Sequence, residues 1–377
     1  MVIQQPALPA YRVPVFKELA HRPGLDVLVT YTHDPKLPNL EPDGFAAEPS
    51  TLCSLRLGGR EVLWDPAQIR YATKKRADVL VLTWNAHYAS LPLALKRARW
   101  SGVGTIVWGH GYSKTEAGWR AKVRTRLGRQ ADAMMFYSRS IAKRYEQEGF
   151  EPERLHVAAN ALDQTNIQHA REDWVSRPLE LERFRDQHGL SHGPIALYVS
   201  RFAPANREDL LIRATPSLVE RFPQFRAVLI GKGETAGELR ALAEKLGVAD
   251  HVLMPGAIYG DLELAPWFLA ADAFVYPANV GLSLIHAMGY GLPVVVGDDL
   301  ASHNPEIDAL EPGVNGLTFA DGDADALAET LTDLFHDSQR REAMRDAALR
   351  TVTEDFTLEH MVDGFEAAIR YAAERHA

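Results

Sequence analysis

Short apolar runs alternate with amphipathic stretches along almost the whole chain, and that alternation confines it to a few α/β architectures. VIQQP reads as a strand, PVFKELAHR as a helix and LDVLVTYT as a strand again. After an irregular segment, residues 34–58, come REVLW, a helix near PAQIRYATKKR, the strand ADVLVLTW and a helix across YASLPLALKRARW. GTIVWGHG, a basic helix across WRAKVRTRLGRQ, ADAMMFYS, the helix RSIAKRYEQEGF and LHVAAN complete a first set. Strands separated by helices of roughly 10–15 residues imply βαβ units around a parallel sheet.

The pattern lapses over residues 164–193, where charged residues dominate, and restarts with PIALYVSRF. FRAVLIGKG, HVLMPG, AFVYPA, PVVVGDD and GLTFA are the further strands of this second set. From Ala324 onward the chain reads helical, broken around EDFT. The expectation is two Rossmann-like α/β domains, residues 1–190 and 191–356, with a final helix over 357–377. A length of 377 residues suits two cores better than one. Ligands of open parallel sheets bind beyond the strand C-termini, so two such domains are expected to place their informative residues there, on a shared cleft.

Composition narrows the classes. With 46% hydrophobic and 24% charged residues the chain is neither disordered nor membrane-spanning in pattern. The start, MVIQQPALPAYR, lacks a basic region followed by an apolar block, so no signal peptide is expected. One cysteine, Cys53, excludes an internal disulfide, and a reducing cytoplasm is the expected compartment. Residues 1–200 hold 27 Lys and Arg against 21 Asp and Glu; residues 201–377 hold 14 against 29. Between Arg56 and Arg144 lie 18 basic and 5 acidic residues. A basic first half is suited to an anionic acceptor or to peripheral contact with the inner membrane face; no nucleic acid partner is expected.

Several strand ends carry candidate chemistry, each with a plainer structural reading beside it. Arg201 closes LYVSRF and could pair with a phosphate, or be a surface arginine. Gly231 and Gly233 flank Lys232 in GKGETA, a turn that admits a diphosphate or is simply tight. A nicotinamide site is disfavoured, because no acidic residue follows at a second strand end. In PANVGLSLIHAMGYGLPVVV a helix starting near Gly281 would offer the amides of Gly281, Leu282 and Ser283 to an anion. His286 lies within two turns of that start, as a ligand or as a core residue. His87 in TWNAHYAS and His110 in VWGHGYSK also follow strands. The glycines around His110 suggest close backbone approach. The basic helix, with Arg120, Lys122, Arg124, Arg126 and Arg129, is either a solvated face or a contact for a phosphorylated or lipid partner. No C-x-x-C pattern or cluster of metal ligands is evident, so no metal is expected.

Taken together, SRF, NREDLL, GKG, ANVGLSLIHAMGYGLPVV, NPEIDAL and GVNG resemble, in order, the motifs of the retaining glycosyltransferases of family 4, which have the GT-B fold. PAYRVPVF, WGHG and VAANALD resemble a bacterial branch of that family. The resemblance implies that the second domain binds a nucleotide-diphosphate sugar, with the last helix returning to the first domain. Arg201, Gly281 and Leu282 would hold the diphosphate and Tyr259 would lie near the base. His110 would address the transferred sugar, and the loop carrying Tyr11 and Arg12 would line the acceptor side with His87. No metal or other cofactor is implied. The acceptor would be a hydroxyl of a glycan, a lipid-linked or a small molecule.

Three positions depart from the family. Its two glutamates, eight apart, fall on Ala278 and His286, and its lysine falls on Asn206. His286 could share the ribose hydroxyls, Asn279 could take over the sugar contact, and Arg207 could restore the lost charge. A catalytically weak nucleotide-sugar-binding subunit is therefore kept as an alternative to the transferase. An epimerase on the same fold lacks an evident acid/base set.

Overall fold

The computed structural model describes residues 1–34, 37–57, 60–112 and 118–376. They form two compact units, Met1–Asn160 together with Leu358–Ala377, and Ala161–Thr357.

The first unit is built on a seven-stranded parallel sheet. Its strands are β1 (Val2–Gln5), β2 (Leu28–Tyr31), β3 (Ala46–Pro49), β6 (Val79–Thr83), β7 (Gly104–Gly109), β8 (Ala133–Phe136) and β9 (Leu155–Val157), in the spatial order β3-β2-β1-β6-β7-β8-β9. Between β3 and β6 the chain makes a separate antiparallel hairpin, β4 (Cys53–Leu57) with β5 (Arg60–Trp64). REVLW is thus a strand as expected, but not of the main sheet. The middle strands VLVLT, GTIVWG and AMMF are almost wholly buried, as strands covered on both faces must be. Strand order reverses between β1 and β6, so the loops after these strands flank the switch point where open sheets bind ligands.

The final helix, Leu358–Glu374, belongs to this unit, as the resemblance implies. Phe365 meets Trp108 and Phe16 edge-on. Two glycines admit the helix: a Cβ on Gly364 would lie 2.0 Å from the Val157 carbonyl, and one on Gly104 would lie 2.4 Å from that of Ala372.

The second unit repeats the plan with six parallel strands, β10 (Ile195–Val199), β11 (Arg226–Ile230), β12 (Val252–Gly256), β13 (Ala273–Val275), β14 (Val294–Gly297) and β15 (Gly316–Phe319), ordered β12-β11-β10-β13-β14-β15. Its switch point lies between β10 and β13.

The division falls after Asn160, some thirty residues before the boundary read from the lapse in the strand pattern. The charged stretch forms two helices, Thr165–Val175 and Pro178–Gln187, that pack on the second unit. The Trp174 indole donates to the Leu262 carbonyl, and the Phe184 and His188 rings meet Trp267 edge-on. Three aromatic anchors outweigh a polar composition. Among the described residues no helix is long and apolar enough to cross a membrane.

Candidate functional site

Three adjacent strand ends of the second unit gather most of the residues singled out in its sequence. The loops after β11 and β10 are laced together: Ser200 N donates to the Ile230 carbonyl at 3.1 Å and Phe202 N to the Lys232 carbonyl at 3.0 Å. This lacing explains the glycines. A Cβ on Gly231 would stand 1.9 Å from the Ser200 carbonyl oxygen, and one on Gly233 would stand 1.8 Å from that of Phe202. Chain packing therefore demands both glycines before any ligand does. Lys232 projects from between them, exposed, with its ammonium 5.7 Å from the centre of the exposed Tyr259 ring.

Arg201 is exposed on a loop with rigid support. Its carbonyl accepts from Asn206 Nδ2 at 2.8 Å and from the Tyr198 hydroxyl at 3.2 Å. Tyr276, beside Tyr198, donates to Ser200 Oγ at 3.1 Å. Burial pushes both phenols above the usual tyrosine range, so they stay neutral donors at any working pH. The guanidinium of Arg201 itself makes no ion pair or hydrogen bond among the described residues.

The departures from the family pattern meet here. Asn206, at the lysine position, is 5% exposed, and its Oδ1 accepts from Asn279 Nδ2 at 3.1 Å. Its carbonyl also accepts from Ala278 N, at the position of the first glutamate. Asn279 adopts a left-handed φ of 59°, which asparagine tolerates better than most residues. Asn304 Nδ2 in turn donates to the Asn279 carbonyl at 3.0 Å. A chain of three asparagines thus bridges the loops on both sides of the switch point. Asn279 is occupied with that bridge rather than standing free for a sugar. Arg207, also left-handed at φ 54°, points its Nε at Asp209, 3.2 Å away. Asp209 also pairs with Arg213 at 2.9 Å, so Arg207 is held beside that carboxylate and does not simply replace the lysine.

The helix Leu282–Gly289 starts as expected, capped by Gly281. The amides of Gly281, Leu282 and Ser283 are half-buried and donate no backbone hydrogen bond among the described residues. A buried His303 fixes the approach to this helix, its Nδ1 accepting from Val280 N and its Nε2 lying 3.0 Å from the Gly297 carbonyl. Unlinked amides at a helix start favour an anion.

His286 serves both readings at once. Its ring packs edge-on against Phe268 and Tyr290, while Nε2 sits 2.9 Å from Asp261 Oδ1. Asp261 opens the neighbouring helix Asp261–Ala270, two residues after Tyr259, and its side chain is 30% exposed. A carboxylate, that of Asp261, thus lies against the imidazole at position 286. Nothing in the linear sequence pairs residues 25 apart on separate helices. We expect His286→Glu to set two carboxylates against each other and cost about 1–2 kcal/mol, measured as a lowered midpoint of urea unfolding. His286→Glu with Asp261→Asn should recover most of the loss.

Sequence reasoning also missed Glu208, a carboxylate 1% exposed that accepts from the Thr235 hydroxyl. Its neighbours in EDLL read as an ordinary helix start. Burial raises its pKa above the usual 4.5. The folded state therefore favours the protonated form, and this contribution, complete below pH 4.5, is lost as the pH climbs through the raised value. Relative to Glu208→Gln, the wild type should lose stability as the pH rises above 4.5, seen as diverging melting curves.

In the first unit the candidates disperse. His110 follows β7, exposed, its ring 4.9 Å from that of Tyr137. The glycines beside it serve packing: Gly109 abuts Trp84, and Gly111, at φ 69°, leaves room for Phe136 and Tyr145. Arg12, expected on the acceptor side, is 5% exposed instead. Its guanidinium lies 4.7 Å from the Trp108 ring centre and 5.1 Å from those of Tyr11 and Tyr137, and Nη2 donates to Asn160 Oδ1. Such an aromatic cage makes Arg12 a brace for the loop after β1. Tyr11 remains half-buried there. His87 Nδ1 is 3.0 Å from the Glu61 carbonyl, tying its loop to the β4–β5 hairpin.

Comparison with known proteins now decides the family. A Glycosyltransferase Family 4 profile matches residues 16–166, and a Glycosyl transferases group 1 profile matches residues 181–351. The GDP-mannose-dependent alpha-(1-6)-phosphatidylinositol monomannoside mannosyltransferase of Mycolicibacterium smegmatis is 30% identical over 275 residues, 68% of each chain. The chain belongs to the family 4 type of glycosyltransferases. The D-inositol 3-phosphate glycosyltransferase of Frankia alni is 29% identical over 292 residues, 70% of this chain and 68% of its own. Among solved structures, Anabaena HepE in complex with UDP superposes with a TM-score of 0.74 at 19% identity, covering 98% of both chains. That likeness shows the GT-B fold of the glycosyltransferase, as does the outer core galactosyltransferase WaaB at a TM-score of 0.68 and 17% identity. The protein is therefore an enzyme of sugar transfer that uses a nucleotide-sugar.

Proposed function

We propose that this glycosyltransferase moves a hexose, with retention and without a metal ion, from a nucleoside diphosphate donor to a hydroxyl of a phosphate-bearing polyol or lipid acceptor. One observation carries the donor half. Arg201, Lys232 and the open amides of Gly281 to Ser283 stand on three neighbouring strand ends, a cationic seat for a diphosphate where open sheets bind ligands. Tyr259, whose ring lies beside Lys232, is assigned to the base, and the Asp261–His286 pair to the ribose hydroxyls. The mycobacterial relative's use of GDP-mannose and the UDP in HepE support a nucleoside diphosphate, and GDP-mannose is the first donor to test.

The chemistry needs little covalent help from the protein. The acceptor hydroxyl oxygen bonds to the anomeric carbon as the bond from that carbon to the diphosphate breaks, and the hydroxyl proton passes to the departing phosphate oxygen. Charge gathers on that phosphate, and fixed cations and amides stabilise it in place. His110 is assigned a hydrogen bond to the transferred sugar.

A second reading keeps donor binding but not turnover. It rests on the neutral Asn206–Asn279 bridge where the family carries charge. Thermal shift with GDP-mannose, UDP-glucose and dTDP-glucose, followed by release of nucleoside diphosphate with an inositol phosphate acceptor, separates the two. Protection with turnover supports the transferase; protection alone supports the binding subunit. A panel without any thermal shift sinks both.

A further inference from the structure

The basic helix of the first unit does more than face solvent. Together with the helix Arg139–Gln147 and the chain after β7 it encloses a pocket of about 340 Å³. Gly111 and Tyr112, the two residues after His110, form part of its lining, with Ile141 and the buried Tyr145. The Tyr145 hydroxyl donates to the Gly111 carbonyl and so holds that turn against the helix. Around this floor stand Lys122, Arg124, Arg126, Arg129 and Arg144, against one carboxylate, Glu148.

Those charges are unevenly matched. Among the described residues Glu148 pairs with Arg144 alone, at 3.2 Å. Arg129 stacks on Phe150, 4.2 Å from its ring centre, which fixes a guanidinium without neutralising it. Lys122 and Arg126 are exposed and make no ion pair among the described residues. Concentrating like charge around a concavity is unfavourable unless an anion occupies it, and a low-dielectric wall focuses the field on any anion that enters. A planar guanidinium and a mobile ammonium together suit phosphate oxygens. The volume lies at the lower end of the range of small-ligand pockets, enough for one phosphorylated polyol headgroup.

We infer that this pocket binds the phosphate of the acceptor, as a mono- or diester, and so holds the acceptor beside His110. The inference rests on the transferase reading above, since it assigns that reaction's second substrate a seat.

The test uses the full chain, Lys122→Gln/Arg126→Gln and the charge reversal Lys122→Glu/Arg126→Glu, whose exposed positions should leave melting temperature unchanged. Glycerol 1-phosphate binding is measured by titration calorimetry, and vesicle binding by flotation with phosphatidylcholine alone or with phosphatidylinositol. For the wild type we expect binding to one or both phosphate probes and none to phosphatidylcholine. The neutral pair should weaken that binding roughly tenfold or more, and the reversal should abolish it. Binding to glycerol 1-phosphate identifies a soluble acceptor; binding only to phosphatidylinositol vesicles identifies a headgroup. A wild type that binds neither probe, or variants that bind as the wild type does, overturns the inference. Nucleoside diphosphate protection is followed in parallel: if it persists in every protein while phosphate binding is unaffected, the pocket assignment fails and the donor reading stands. If nucleotide protects none of them, the donor reading fails by itself.

Discussion

Gly231→Ala is expected to destabilise the second unit by about 3 kcal/mol or more, at or above the upper end of typical overpacking. The added methyl would sit 1.9 Å from the Ser200 carbonyl oxygen, less than two-thirds of an ordinary carbon–oxygen contact. Backbone, unlike a side chain, cannot rotate away. The clash must be relieved by separating the ends of β10 and β11, which breaks the Ser200–Ile230 and Phe202–Lys232 hydrogen bonds and shifts Arg201. Stability and nucleotide protection should therefore fall together, the melting midpoint by roughly 6–12 °C for a unit of this size. Gly237→Ala is the matched control. Its Cβ would meet nothing within 4 Å, inside the helix Ala236–Lys245, so alanine should be neutral or stabilise by about 0.5–1 kcal/mol. Equal melting of the Gly231 variant and wild type would refute the packing account.

That pair of glycines also shows what a sequence can and cannot disclose. Alternating apolar runs announced both sheets because parallel strands are buried on both faces and leave a pattern in the chain itself. GKG was legible as a turn at a strand end, but its cause was not, since the colliding carbonyls belong to the loop thirty residues earlier. The stretch 34–58 hid an edge strand, Ala46–Pro49, whose alanines and proline give no apolar signal. Residues 164–193 hid their allegiance because three aromatic contacts, not their average polarity, tie them to the second unit. Arg12 was legible as a charged residue near a strand end, and only the aromatic rings from β7 and from the chain after β8 reveal that it is caged.

Positions 206, 278 and 286, read singly in the sequence as departures from the family's charged residues, each bond to a neighbour in the structure. Asn206 and Asn279 are bonded to each other, so where the resemblance expects a lysine at 206 and a glutamate at 278 an uncharged bridge spans the two loops. Restoring either charge alone would bury it without its partner, a costly arrangement. At 286 the imidazole holds the Asp261 carboxylate at 2.9 Å.

In the proposed cationic seat Arg201 faces the diphosphate, and Arg201→Ala should cost roughly 10²–10³ in kcat/KM, the scale on which single transition-state donors act. The side chain is exposed and makes no bond among the described residues, so melting temperature should hold. Arg201→Lys should recover only part of the rate, because an ammonium keeps the charge and forfeits the two-pronged geometry. Asn206→Ala makes a contrasting case. It removes the bonds to the Arg201 carbonyl and to Asn279 and empties a buried polar position, so rate and stability should decline together. The distinction is what separates a residue that touches the donor from one that positions it. Were Arg201→Ala to retain the wild-type rate with donor and acceptor both saturating and subsaturating, the cationic seat would have to be built around Lys232 and the helix amides alone.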